Sequence, residues 1–299
     1  MKPQVPQERS LSTIAAWLAL IAIGATWGSS YYVIKKALLA FEPTQIAAMR
    51  VSIAFICFLP MLIMNWKKIR KKHIKYLIVV GFCGSGFPAI LFPLAQTQLT
   101  SSFTGILSSS TPIFTLSIGA LFFSLMLSRS KLIGVIIGFI GAALLAIFSG
   151  TGEISGNPWY ALLVLLATAL YGISTNTINT FLKELDTFTI SSFAFMIIGI
   201  PSIVYLFSGD FVHTLTTHPE GWYSFIHVAI LAVAGTFLAT LFFFQLIKSA
   251  GVVFASTVSY IIPCVAVLLG FLDGERLSFW HLIGMSLIIW GVYMTSRKT

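Results

Sequence analysis

"GILSSSTPIFTL" (residues 105–116) places four consecutive hydroxyl residues, 108–111, directly before Pro112 in the middle of a strongly apolar stretch. "FASTVSYIIPCV" (residues 254–265) repeats this arrangement in the second half of the chain, with Pro263 as its helix breaker. Hydroxyl groups and a proline are costly in apolar surroundings unless their backbone and side-chain groups find partners. The fold must therefore supply such partners at two places.

The prolines predict which backbone groups need those partners. A proline inside a helix removes the hydrogen bond to the carbonyl four residues earlier. Pro112 thus frees the carbonyl of Ser108, and Pro263 frees that of Ser259. We expect the first carbonyl to be satisfied by Ser109 or Ser108, or to face a ligand. Packing of hydroxyls between helices is the alternative use of such a cluster.

The composition around these segments is that of a membrane protein. Of the 299 residues, 57% are hydrophobic and 9% are charged, whereas soluble domains carry about 25% charged residues. The apolar residues come in blocks of about 18 or more, long enough to cross a bilayer. The three cysteines, Cys57, Cys83 and Cys264, lie inside apolar runs. They resemble core residues more than a disulfide framework.

We predict an all-α integral membrane protein with ten transmembrane helices, because lipid-exposed backbone must satisfy its own hydrogen bonds and no alternating barrel pattern is present. Residues 1–13 are predicted to form a cytoplasmic tail, and the first apolar run is too long for a signal-peptide core. The predicted helices are 14–34, 44–64, 75–96, 102–123, 131–149, 158–181, 188–207, 222–246, 251–271 and 279–295.

The basic residues predict the orientation. With the N-terminus inside, 14 of the 18 Lys and Arg residues lie on the cytoplasmic side, six of them in "NWKKIRKKHIK" (residues 65–75). Lys35, Lys36 and Arg276 lie outside, and Arg50 lies within a span. An excess of Lys and Arg marks cytoplasmic loops. We therefore predict a multi-pass protein of the cell (inner/plasma) membrane with both termini on the cytoplasmic side. The net charge of +9 is thereby explained without a nucleic-acid partner.

The two halves of the chain, 14–149 and 158–296, repeat each other. Each repeat has five predicted spans, an odd number, so the second must enter the bilayer from the opposite side. Such inverted repeats place a substrate site at the midplane and expose it alternately to either side. The matched pairs are Gly84 and Gly235, Ser108 and Ser259, Pro112 and Pro263, and Gly119 and Gly270 at an offset of 151, and "WGSS" (27–30) with "YGIS" (171–174) at an offset of 144.

With these segments the chain resembles the EamA family of the drug/metabolite transporter superfamily. The resemblance rests on "WGSSYYVIKKAL" (27–38), "PTQIAAMR" (43–50), the two proline helices and "GERLSFWHLIGMSLIIWGVYM" (274–294). It implies a ten-helix permease for small metabolites, often an exporter of amino acids or related compounds. One departure is that the first repeat reads "LSRSKLIG" (127–134), without the acidic residue of "GERLS".

Polar and aromatic residues within the spans form the predicted site, because such groups gather where they face protein or a hydrated cavity. An interfacial aromatic belt is the alternative for Trp27. The predicted substrate-binding residues are Trp27, Ser30, Tyr31, Arg50, Ser108, Ser109, Tyr171, Asn176, Ser259 and Tyr260. Pro112, Pro263 and Glu275 are predicted to be structural or gating residues.

Arg50 is the charged residue placed within a span, and an intramembrane charge is a functional hypothesis by default. It either holds a substrate carboxylate or pairs with Glu275 or Glu42, whose loops lie on the same side. No Asp or Glu is predicted at midplane depth. Because proton-driven carriers commonly use such a carboxylate, we expect facilitated or exchange-type transport.

Other classes of function are less well supported by the sequence. An enzyme needs a nucleophile and base, paired carboxylates or metal ligands at membrane depth, and we expect no enzyme, cofactor or metal. An intramembrane enzyme or scaffold remains the non-transport alternative. A lipid-linked or nucleotide sugar is the alternative substrate, although one arginine is little charge for a diphosphate. The glycines of predicted helices 5 and 10 either pack the halves together or form a homodimer surface.

Overall fold

The computed structural model describes residues 12–126, 128–148, 159–272 and 279–296. These residues form α-helices and contain no strand. The first half has α1 (Thr13–Ala37), α2 (Pro43–Asn65), α3 (Lys71–Gly81), α4 (Phe87–Gln96), α5 (Ser101–Ser108), α6 (Thr111–Phe122) and α7 (Arg129–Phe148). The second half has α8 (Trp159–Phe181), α9 (Thr187–Ser208), α10 (Phe211–Thr217), α11 (Gly221–Ala232), α12 (Ala239–Ala250), α13 (Val252–Ser256), α14 (Val258–Leu272) and α15 (Phe279–Ser296).

Six helical stretches are long and apolar enough to cross a membrane, and shorter apolar helices lie among them. The six are Thr13–Ala37, Pro43–Lys68, Lys71–Gln96, Trp159–Phe181, Thr187–Ser208 and Gly221–Ala250. The all-helical membrane fold predicted from composition is thus confirmed for the described residues. The arrangement of ten spans in two inverted repeats stays a prediction.

The helix boundaries differ from the prediction where backbone hydrogen bonding is interrupted. The predicted helix 102–123 is split between α5 and α6 by a turn at Ser109 and Ser110. The predicted helix 251–271 is split between α13 and α14 at Thr257. The short helix α10 was not expected from the sequence. Hydroxyl residues that bond back to the preceding turn compete with regular helix geometry, which explains both breaks.

Two stretches of π-helix interrupt otherwise continuous helices. Phe82–Gly86 joins α3 to α4, and Val233–Leu238 joins α11 to α12. Their first residues lie 151 positions apart, which is the main offset of the sequence repeat. A π-helical turn frees backbone groups from the regular pattern and is frequent at functional sites.

Glycines pack α7 against α15 along their length. A Cβ at Gly134 would lie 2.7 Å from the carbonyl oxygen of Gly291, and one at Gly141 would lie 2.7 Å from that of Gly284. The two backbones therefore approach each other as closely as small-residue helix contacts allow. These glycine faces are occupied within the chain, and a homodimer through the same two helices stays a prediction.

Ion pairs join the two halves beyond the ends of α2 and α8. Lys68 Nζ lies 2.6 Å from Asp186 Oδ2. Glu184 is bound by Lys72 and by the buried His73, whose Nε2 is 2.6 Å from Glu184 Oε1. Bonds from Lys72 and His73 lower the pKa of the Glu184 carboxyl to about 2. The loop between α2 and α3 and the loop between α8 and α9 thus lie at the same end of the bundle.

We expect Gly291→Ala to destabilise the protein, because the added Cβ would meet the backbone of α7 at Gly134 and Gly138. Overpacking of this kind costs about 1–3 kcal/mol. Thermal unfolding of the detergent-solubilised chain measures the effect. Gly209→Ala is the matched control, because its nearest contact would be at 3.8 Å. Equal unfolding temperatures for the two variants would contradict the close packing of α7 and α15.

We expect Glu184→Gln to lower the thermal stability at neutral pH and to have little effect in acid. The folded-state pKa lies below the ordinary value of 4.5, so the ionised carboxylate stabilises the fold above that value. The contribution is lost as the pH falls from about 4.5 towards about 2. Unfolding temperatures of wild type and variant across this range test the prediction, with the exposed Glu220→Gln as control. A difference that stayed constant with pH would contradict it.

Candidate functional site

A cavity lies in the middle of the bundle between the two halves. Its volume is about 90 Å³, measured as the space open to the centre of a water molecule. One water needs about 10–15 Å³ on that measure, so the cavity accommodates several waters or a small organic molecule. Its wall is formed by parts of α1, α2, α4, α5, α6, α8, α12, α13 and α14 and by both π-helical stretches.

Most of the predicted site residues meet at this cavity. Those that line it are Trp27, Ser30, Tyr31, Arg50, Ser108, Tyr171 and Ser259. Ser109, Asn176 and Tyr260 are buried but do not line it. Pro112 and Pro263 are buried within the protein, and Glu275 lies outside the described residues. The cavity wall thus brings together predicted residues from five separate stretches of sequence.

The hydroxyl cluster of the first half satisfies both carbonyls that the prolines free, one in its own half and one in the second half. Thr111 Oγ1 donates to the Ser108 carbonyl at 2.6 Å. Ser109 Oγ donates to the Ser259 carbonyl at 3.1 Å, joining the break in one half to the break in the other. The expectation that Ser109 or Ser108 serves the Ser108 carbonyl is therefore corrected. Thr111 lies three residues after Ser108 and bonds back to its carbonyl, so Ser109 bonds across the interface instead.

Two predicted residues hold helices together beside the cavity. Asn176 Nδ2 donates to the carbonyls of Thr115 at 2.9 Å and Gly172 at 2.8 Å, which joins α8 to α6. The Tyr260 hydroxyl donates to the Val135 carbonyl at 2.7 Å, which joins α14 to α7. Both side chains bond to neighbouring helices and do not line the cavity.

Aromatic rings form two matched walls. Trp27 packs on Phe243 with ring centroids 5.0 Å apart, and Tyr171 stacks on Phe92 at 6.0 Å. Trp27 matches Tyr171, and Phe92 lies 151 positions before Phe243. Tyr31 also meets Phe92, edge to face at 5.8 Å. The position of Trp27 inside the bundle argues against an interfacial aromatic belt.

The π-helical stretches contribute wall residues that sequence reasoning missed. Gly84 and Ser85 come from the first stretch, and Gly235 and Thr236 come from the second, each pair matched at an offset of 151. The indole nitrogen of Trp27 donates to the Gly235 carbonyl at 2.8 Å. The matched glycines were the only signal for these stretches in the sequence, and glycine alone does not predict a π-helical turn.

Arg50 enters the cavity from α2. Its Nε donates to Thr236 Oγ1 at 2.6 Å, and the same hydroxyl donates to the Leu231 carbonyl at 3.2 Å. Among the described residues no carboxylate lies within 4.0 Å of the guanidinium. The expected pairing with Glu42 is therefore not found. The backbone N–H of Glu42 donates to Gln45 Oε1 at the start of α2.

The described lining of the cavity has the composition of a binding site for a small molecule. Its polar groups are hydroxyls, one guanidinium and backbone carbonyls, set among aromatic and aliphatic side chains. In the ranges that the structure describes, no cluster of three or more His, Cys, Asp or Glu residues is placed to hold a metal ion. Such a lining suits reversible contact with a small, partly apolar molecule.

Comparison with known proteins places the chain among transporters. The sequence model of the EamA-like transporter family matches residues 14–147 and 158–297. The chain belongs to the EamA-like transporter family. The family resemblance seen in the sequence is thereby confirmed, and the all-helical fold described above is that of a family of membrane transporters.

Relatives of this EamA-like transporter cover nearly its whole length. An uncharacterized transporter of Archaeoglobus fulgidus is 26% identical over 94% of this chain and 99% of its own length. The uncharacterized inner membrane transporter YedA of Escherichia coli is 26% identical over 93% of this chain and 89% of its own. A probable terminal-alkyne amino-acid exporter of Streptantibioticus cattleyicolor is 22% identical over 95% of this chain and 94% of its own length.

A solved crystal structure shares the fold. It superimposes with a TM-score of 0.68 over 95% of this chain and 96% of its own, at 15% identity. At this identity the likeness concerns the fold alone.

We expect Ser109→Ala to destabilise the transporter, because it leaves the freed Ser259 carbonyl buried without its donor. An unsatisfied buried acceptor costs about 1–3 kcal/mol. Thermal unfolding of the full chain measures the loss, with the exposed Ser117→Ala as the matched control. If both variants unfolded at the wild-type temperature, the bond between the two helix breaks would not matter to the fold.

Proposed function

We propose that this protein is a permease that moves a small metabolite, an amino acid or a related amine, across the cytoplasmic membrane by alternating access, as an exporter or facilitator. The observation that carries the proposal is the central cavity, whose wall is built from matched positions of both halves. A cavity shared between two repeats can open to either side when one half tilts against the other.

Ten membrane-spanning segments in two inverted repeats, 14–149 and 158–296, provide the framework for this motion. Helix packing supports the arrangement. Under the repeat, α1 corresponds to α8, α2 to α9, α6 to α14 and α7 to α15. Exchanging the two halves turns the pair α2–α9 into itself and the pair α7–α15 into itself. The same exchange turns the pair α1–α14 into the pair α8–α6. All four of these helix pairs are in contact. A two-fold relation between the halves accounts for this pattern.

The orientation follows from charge and from the loop contacts. Fourteen Lys and Arg residues against three favour a cytoplasmic location for both termini. The loops after α2 and after α8 are both cytoplasmic in that topology, and their ion pairs, such as Lys68 with Asp186, place them at one end of the bundle. The contact between them supports the predicted order of spans.

The lining supports an amino acid or related compound as the substrate. Aromatic walls take an apolar side chain, while hydroxyls and Arg50 take polar groups. The name of one relative, a probable terminal-alkyne amino-acid exporter, agrees with this class. A lipid-linked or nucleotide sugar is less well matched, because its diphosphate would meet a single guanidinium. The lining residues in the described ranges include no carboxylate, which favours facilitated or exchange-type transport.

The steric test of this proposal fills the cavity from one position. We expect Ser85→Trp to reduce transport at least tenfold, because Ser85 lines the cavity and an indole would occupy the substrate volume. The assay measures the entry of labelled amino acids and amines into vesicles that contain the purified protein. Ser117→Trp is the matched control, because Ser117 is exposed on the outer face of α6.

Each result of this assay bears on the proposal. Wild-type vesicles that take up no member of the panel faster than protein-free vesicles would contradict it. So would equal rates for Ser85→Trp and wild type in proteins that remain monodisperse. Uptake that followed an imposed pH gradient would contradict facilitated transport and indicate coupling to protons.

A further inference from the structure

We infer that Arg50 is an anion-binding group of the cavity and that the transported molecule carries a carboxylate which docks on the two terminal nitrogens of its guanidinium. This inference rests on the proposed function and names the substrate class of the same site. It replaces the broader class of amino acids and amines by molecules with a carboxylate, and it excludes amines that lack one.

The first step is the unused hydrogen-bonding capacity of Arg50. The residue lies seven positions into α2, about 10 Å from the helix end at 1.5 Å per residue. Its Nε is bound by Thr236, and no described residue bonds to its Nη1 or Nη2. A guanidinium has five donors in a planar fork, so four of those of Arg50 have no acceptor among the described residues.

The second step is charge balance. Arg50 is the only charged side chain among the described residues that line the cavity. A cation removed from water is costly unless it is paired and hydrogen-bonded. A bound monoanion therefore removes this cost, whereas an amine would add a like charge. A doubly charged phosphate would leave one negative charge without a partner.

The third step is geometry. The guanidinium fork matches the two oxygens of a carboxylate in a bidentate pair. Thr236 donates to the Leu231 carbonyl, which directs its lone pairs towards Arg50 Nε and fixes the plane of the fork. Thr236 belongs to the second half and Arg50 to the first, so it is a positioning residue that sets the fork at the interface of the halves.

The fourth step is the remainder of the ligand. The rings of Phe92, Phe243 and Phe244 line the same cavity and offer an apolar compartment. An amino group, where present, can lie over the aromatic face of Tyr31 or Tyr171, which line the same cavity. The cavity thus fits a small carboxylic acid with an apolar side chain, with or without an amino group.

The test uses the full chain in detergent and matched probes. The probes are L-phenylalanine, its decarboxylated counterpart phenethylamine, its deaminated counterpart 3-phenylpropionate, L-leucine and inorganic phosphate. Binding is read from the shift in thermal unfolding and from tryptophan fluorescence, since Trp27 lines the cavity. We expect the carboxylates to bind wild type at least tenfold more tightly than phenethylamine.

Substitutions at the fork then locate the preference. We expect Arg50→Gln to abolish the preference for carboxylates, Arg50→Lys to retain part of it, and Thr236→Val to weaken it. Lys35→Gln is the control, because it removes an exposed charge away from the cavity. If Arg50→Gln does not fold, Arg50→Lys and Thr236→Val provide the test. We then expect both variants to have a lower ratio of carboxylate affinity to phenethylamine affinity than wild type.

Several results would overturn the inference. They are phenethylamine or phosphate binding as tightly as the carboxylates, an unchanged preference in Arg50→Gln, and no stabilisation of wild type by any carboxylate. Vesicle transport separates this inference from the proposed function. Carboxylate binding through Arg50 without transport would leave the inference standing and contradict the permease. Amine transport at the wild-type rate by Arg50→Gln would contradict the inference and leave the permease standing.

Discussion

The fold depends on one constraint: a backbone group that leaves regular helix geometry inside a membrane must find its partner within the protein. Proline and π-helical turns free such groups at matched places in both halves, and two freed carbonyls of the second half take their donors from the first half. Ser109 donates to the Ser259 carbonyl, and Trp27 donates to the Gly235 carbonyl. The irregular backbone therefore holds the two halves together around a shared interior. That interior is where polar side chains can be kept at low cost.

The same constraint joins fold to transport. Helices that are broken or widened at mid-length have fewer backbone bonds to lose when they bend, so the elements that line the cavity are also those best suited to move. Around them, close glycine contacts between α7 and α15 provide a rigid support. Ion pairs at one end of the bundle and an aromatic cluster around Phe41 and Phe211 near the other join the halves by different interactions. Under the proposed alternating access, opening of the cavity at either end requires one of these sets to separate.

The sequence predicted the kinds of residue at the cavity better than their partners. The membrane fold, the proline helices and the positions of Trp27, Tyr31 and Tyr171 could be read from apolar run lengths and matched polar residues. The rotation of each helix could not, so Asn176 and Tyr260 were expected at the site although they bind α6 and α7. Thr236 was missed because its bond to Arg50 joins residues 186 positions apart. Local pattern predicts which residues are unusual, whereas tertiary packing decides what each of them touches.

The most direct test of alternating access measures one distance at each end of the bundle. Spin labels at the exposed positions 67 and 183 report on the end that carries the ion pairs, and labels at 39 and 217 report on the other. Both pairs are placed in a variant without Cys57, Cys83 and Cys264, and distances are measured by double electron–electron resonance in lipid with rising L-phenylalanine or L-leucine. The account predicts opposite changes at the two ends as the ligand concentration rises: when the distance between 67 and 183 lengthens, that between 39 and 217 shortens, or the reverse. Distances that stayed fixed, or that lengthened together, would contradict it.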